Sequence, residues 1–187
     1  MSIAPAAAEL LRALAPVLDR WGAWYLFGAQ AVIAHGWPRL SADVDVTLRL
    51  DPDTPEAFVA EMTQAGFRAS VPDPDFVRRT RVLPFVHEPT GMPLDVVLAG
   101  SGLEDEFLAR ARRVELAGVS TPLISAEDLM IAKILAGRPK DLEDARGLWK
   151  IRAQRLDVAR IEAVLRLLEE ALAQSDLLPA FESIRRP

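Results

Sequence analysis

The sequence contains no cysteine, a single tyrosine and two histidines. Without cysteine there is no disulfide framework and no thiolate metal site. No apolar run approaches the ~18–20 residues of a membrane span. No secretory signal is expected in the opening stretch either. The opening stretch MSIAPAAAELLRALAPVLDRW carries Glu9, Arg12, Asp19 and Arg20 at helical spacing, which predicts a helix. The expectation is a cytoplasmic protein with no membrane partner. Positive charge is not in excess either: the net charge is −5, which weighs against a dedicated nucleic-acid-binding domain. Two basic clusters, Arg78, Arg79 and Arg81 and then Arg110, Arg112 and Arg113, read either as solvated surface or as a backbone-binding patch.

What is present suits one domain, or one domain with a helical extension: 187 residues, half of them hydrophobic. WYLF before Gly28 reads as a strand, AQAVIAHG as a short helix closed by Gly36, and DVDVTLRL as a strand by its period of two. A helix begins at about residue 54, with Thr54 as its cap. FRASVPDPD reads as strand edge and loop. RVLPFVHE and PLDVVLAG read as strands joined by the turn-forming PTGM. LEDEFLARA is helical, RRVELAGVSTPLI a strand pair, and SAEDLMIAKILAG a helix with Ser125 as N-cap and Gly137 at its exit. KDLEDARGLWKI and residues 157–172 are further helices. The expected outline is an α/β (α+β) mixed sheet flanked by helices over residues 1–103, with a mostly helical part over 104–187.

The chemistry-bearing feature is Asp43-Val44-Asp45. Residues i and i+2 of a strand share a face, so two carboxylates project together, an arrangement that a hard cation relieves. Asp95 is a lone acid in an apolar strand, where it either joins the same metal, pairs with an arginine or faces solvent. Gly28 and Ala29 stand where a strand enters a helix. Backbone N–H groups there suit an anion, although a plain connecting turn would look the same. Taken together, a phosphate-binding turn and three acids describe metal-dependent phosphoryl or nucleotidyl transfer.

FGAQAVIAHGWPRLSADVDV, with PLDVVLAG downstream, resembles the nucleotidyltransferase fold shared with DNA polymerase beta. It is most similar to the bacterial group around the AbiEii and MenT toxins. Gly28, Ala31, Val32, His35, Gly36, Pro38, Arg39, Ser41, Asp43 and Asp45 keep that group's order. Lys133 and RPKDLEDARGL, with Arg138, Lys140, Asp141 and Asp144, resemble its second motif. The resemblance implies that Mg²⁺ or Mn²⁺ is held by Asp43, Asp45 and Asp95. It also implies nucleotide contacts from Gly28, Ala29, Arg39, Ser41, Lys133, Arg138 and Lys140, and catalytic roles for Lys133 and Asp141. Surface ion pairing is the competing reading for Asp141 and Asp144. Ala29 stands where the group has Ser or Gly, which removes a side-chain donor to phosphate.

The activity so implied is transfer of an NMP from an NTP, ATP included, to an acceptor hydroxyl. The acceptor would be RNA, such as a tRNA 3′ end, in a toxin–antitoxin setting with a cognate antitoxin partner. The alternatives are a small hydroxylated molecule or a protein as acceptor, or a non-catalytic module that binds a nucleotide or partner.

Overall fold

A computed structural model describes residues 3–50, 55–71, 73–100 and 102–186. The chain divides into two compact units, residues 1–34 with 39–124, and residues 35–38 with 125–187.

The first unit is built on a seven-stranded mixed sheet. Helix α1 (Pro5–Trp21) leads into strand β1 (Trp24–Phe27), helix α2 (Gly28–His35) and strand β2 (Val44–Leu48). Next come helix α3 (Pro55–Gln64), strand β3 (Phe67–Ala69) and helix α4 (Pro74–Thr80). Strands β4 (Val82–His87) and β5 (Met92–Leu98) form a hairpin. Helix α5 (Leu103–Arg110) then precedes the hairpin of β6 (Arg112–Leu116) and β7 (Val119–Leu123). The strand order is β3-β4-β5-β2-β1-β7-β6. β2 is central: it runs antiparallel to β1 and parallel to β5.

Apolar residues at helical spacing in α1, Leu10, Leu11, Leu14 and Leu18, are fully buried, as are Leu26, Val44, Val46, Leu48, Leu94 and Val96 of the central strands. Burial of such side chains contributes about 1.5–3 kcal/mol each. Phe58 of α3 meets Phe85 of β4 edge to face at 6.2 Å.

The second unit holds helices α6 (Ala126–Ala136), α7 (Pro139–Arg152), α8 (Val158–Leu172) and α9 (Leu177–Arg185). Leu129, Met130, Leu148, Ile161, Leu165 and Phe181 form its core. The Ser125 side chain accepts from the Asp128 N–H at 3.0 Å, and Gly137 closes α6 at φ +64°. Residues 35–38 belong here because Trp37 lies on Gly147, where an added Cβ would come within 2.3 Å of the indole. Arg152 also donates to the His35 carbonyl at 2.7 and 2.9 Å.

The sequence expectation set its boundary after residue 103; the compact units divide after Ile124, with the β6–β7 hairpin joining the sheet of the first. One sequence expectation is corrected. Residues 74–80, where the sequence suggested no element, form α4. It is started by Asp73, whose carboxylate accepts from the Asp75 N–H at 3.0 Å. The expected cap Thr54 lies outside the described residues. Among the described residues no helix is long and apolar enough to cross a membrane.

Candidate active site

Strand pairing brings two of the sequence-predicted acids together. In the parallel pair β2–β5, Asp45 is the direct partner of Asp95. Neighbouring strands lie ~4.8 Å apart, and partnered residues present their side chains to the same face. Asp45 is also the partner of Phe27, the last residue of β1, so the turn at Gly28 opens beside it. The approach is very close. A Cβ on Gly28 would stand 1.9 Å from Asp45 Oδ2 and 2.7 Å from its Cγ. Gly28 also has φ +64°, a conformation that L residues avoid. Only glycine meets both demands, so the turn and the carboxylate form one structural feature.

Asp43 lies one residue before β2 and is exposed. Its carbonyl accepts from Gln30 Nε2 at 3.1 Å. Ser41 Oγ lies 3.0 Å from that carbonyl and 2.9 Å from Asp43 Oδ1. Burial pushes the Asp95 carboxyl above the ordinary carboxylate range, and the negative charge of Asp43 adds to the rise. Asp43 is therefore near enough to Asp95 for its charge to be felt.

The donor set suits a hard cation: carboxylate oxygens, exposed or half exposed, with mutual repulsion that a cation would relieve. Among the described residues no group of three or more His, Cys, Asp or Glu stands in a ready-made metal cage. Mg²⁺ does not require one, since it is commonly held by one or two carboxylates together with substrate phosphates and water.

The remaining predicted residues sit elsewhere around these two units. Ala29 is buried in the first turn of α2. Arg39 Nε donates to the Leu40 carbonyl at 3.1 Å. In the second unit the Lys133 ammonium is buried and donates to Asp141 at 2.7 Å and to Asp144 at 2.8 Å. Arg138 pairs with the other Asp141 oxygen. Burial alone would raise the Asp141 carboxyl, but hydrogen bonds and charge from Arg138 and Lys133 outweigh it and hold it below the usual range. The pairing of Asp141 and Asp144 is thus internal, not a surface exchange of charges. Lys140 is exposed. Sequence reasoning missed the buried pair of Asp128 with Arg160 at 2.9 Å and the hold of Gln30 on Asp43. The second had a visible signal, one amide in an otherwise apolar helix start.

Residues 6–175 match the family described as "Nucleotidyltransferase of unknown function (DUF6036)". The chain belongs to this nucleotidyltransferase family. No curated protein matches the sequence. Among solved structures the nucleotidyltransferase is similar to the antibiotic-resistance factor ANT(2'')-Ia, with TM-score 0.60 and 17% identity over 89% of this chain and 95% of that one. An antigenic nucleotidyltransferase-like protein from Paracoccidioides brasiliensis gives TM-score 0.58 and 16% identity, covering 97% and 94%. The lincosamide antibiotic adenylyltransferase LnuA, solved with lincomycin, gives TM-score 0.51 and 14% identity, covering 79% and 96%. At these identities the likeness supports the mixed-sheet fold and does not extend to substrate.

Proposed function

We propose that this nucleotidyltransferase moves an NMP from an NTP to the hydroxyl of a small molecule, with Asp43, Asp45 and Asp95 as ligands of Mg²⁺ or Mn²⁺. The observation that carries the reading is the Asp45 carboxylate packed where a Gly28 Cβ would stand, with Asp95 beside it in register. The bound cation supplies neutralisation of phosphate charge and positioning of the reacting oxygens. The N–H groups of the first turn of α2, at Gly28 and Ala29, receive phosphate oxygens. Arg39 and Ser41, of the same unit, belong to the same proposal as nucleotide contacts. The acceptor oxygen bonds to the α-phosphorus, the α–β bridging bond breaks, and pyrophosphate leaves. The acceptor proton passes to a carboxylate. Asp95, the acid raised above the ordinary range, is the candidate base.

A small acceptor is favoured by the state of the basic clusters. Arg78 pairs with Asp75, Arg81 binds the Leu98 and Ala99 carbonyls, and Arg112 binds the Ala109 and Ala111 carbonyls. Arg113 binds Asp19 and the Ser120 carbonyl. Four of the six cluster arginines are thus engaged at the surface with groups of this chain, and the net charge of −5 gives no general attraction for a polyanion. ANT(2'')-Ia has been solved with adenylyl-2''-tobramycin, a nucleotidylated small molecule on this fold. The second reading, an RNA or tRNA 3′ end acceptor in a toxin–antitoxin pair, rests on the motif from Gly28 to Asp45.

The test is incubation with each α-labelled NTP and Mg²⁺. One arm contains tobramycin, lincomycin and other hydroxylated small molecules; the other contains total RNA. Label on a small molecule supports the first reading, and label on RNA supports the second. No label in either arm, with every NTP, contradicts both.

A further inference from the structure

We propose that Gln30 is a positioning residue of the transfer site, fixing the backbone of Asp43 so that its carboxylate can serve as a metal ligand. The inference rests on the metal role of Asp43 proposed above.

The three acids are not held alike. Asp45 and Asp95 lie inside paired strands and are placed by the ladder. Asp43 lies one residue outside β2, and no strand partner sets its position. Two side chains grip it instead: Ser41 from its own loop and Gln30 from α2, which donates to the Asp43 carbonyl at 3.1 Å. Gln30 sits two residues beyond Gly28, so one helix start both clears the space beside Asp45 and tethers Asp43.

The amide is poorly suited to its surroundings in every other respect. Gln30 is 1% exposed, and its neighbours Ala29, Ala31 and Val32 are buried. Its Oε1 is buried with no hydrogen-bond partner. Exchanging the amide oxygen and nitrogen would set two acceptors face to face at the Asp43 carbonyl, so the orientation is determined. A buried acceptor without a donor weakens a fold. A methionine of similar length would pack the same space without that burden. The benefit of glutamine here is the single bond to Asp43, which matches the outer-shell bonds that orient metal ligands.

The experiment titrates Mn²⁺ into the NTP-free protein by electron paramagnetic resonance, for wild type, Gln30→Met and Gln30→Glu. Metal-free melting and the Mg²⁺ dependence of label transfer are measured alongside. Gln30→Met should melt at the wild-type temperature or higher, bind Mn²⁺ about tenfold more weakly, and need more Mg²⁺ for half-maximal transfer. Gln30→Glu, which sets a carboxylate oxygen against the Asp43 carbonyl, should lose metal affinity at least as much. Wild-type Mn²⁺ affinity in a folded Gln30→Met would overturn the inference, and so would a marked fall in its metal-free stability, which would make Gln30 a packing residue. A wild-type protein that binds no Mn²⁺, either alone or with a non-hydrolysable NTP analogue present, would instead defeat the metal reading of the acids themselves.

Discussion

The acids beside Gly28 and the acids of the helical unit show how differently one side-chain type can be treated. Asp141, Asp144 and Asp128 are fully or almost fully buried, and each has a cation against it: Lys133, Arg138 or Arg160. Asp43, Asp45 and Asp95 are exposed or half exposed, with Asp45 and Asp95 side by side in the sheet. The carboxyl shifts run in opposite directions, Asp141 lowered by its cations and Asp95 raised by burial and a like charge. Acids that serve the fold are matched by cations from within the chain. Asp95, raised by burial and by the charge of Asp43, is the kind of perturbed group that clusters at functional sites.

The largest expected effect lies beside Gly28. Asp45→Asn should reduce label transfer by about 10³-fold or more, because several kcal/mol of charge stabilisation goes with a metal ligand. Single-turnover rates at saturating Mg²⁺ read this directly, and retention of the wild-type rate would remove Asp45 from the site. In the helical unit the loss should fall on stability. Lys133→Ala leaves two buried carboxylates without their shared cation and should cost about 3–5 kcal/mol in urea unfolding. A variant that unfolds like wild type would mean that Asp141 and Asp144 do not depend on Lys133.

Gly28→Ala should be intermediate. The left-handed backbone costs about 1–2 kcal/mol. The new Cβ also collides with the Asp45 carboxylate, so transfer should fall further than the melting shift explains. Equal losses in the two measurements would reduce Gly28 to a backbone requirement. The smallest effect concerns pH. Asp141, lowered in the folded state, contributes stability above the unfolded carboxylate value of about 3.9. That contribution is lost as the pH falls through its lower folded value. Asp141→Asn should therefore flatten the acid limb of the stability–pH curve, and an unchanged limb would remove Asp141 from acid unfolding.

Much of this contrast was legible in the sequence where periodicity and punctuation are strong. The strand before Gly28, the strand through Asp45, and the Ser125 and Gly137 ends of α6 are written in local residue types, and each appears in the fold, although β2 begins at Val44 and leaves Asp43, expected on the same strand face, just outside it. Partnership was not legible. Lys133 in an apolar helix and Asp141 one loop later show no distance between them, so a nucleotide contact and an internal ion pair read alike until the helices are in place. The extent of the sheet was missed for a related reason. β6 and β7 are recognisable as a hairpin, but only the parallel contact of β7 with β1 assigns them to the first unit. Gln30 stood out as an amide among alanines, yet its acceptor lies thirteen residues away in a loop with no period.

The central claim, that the acids beside Gly28 are kept for chemistry at the expense of the fold, is tested most directly with Asp95→Asn. The measurement is its metal-free thermal midpoint across pH, taken with its rate of label transfer. Asp95 is raised in the folded state, so the charged carboxylate weakens the native protein increasingly as pH rises from about 3.9 through its folded value. The account predicts a midpoint above wild type at neutral pH, a difference that disappears toward pH 4, and no transfer. A midpoint clearly below wild type at neutral pH, or transfer at the wild-type rate, would contradict it.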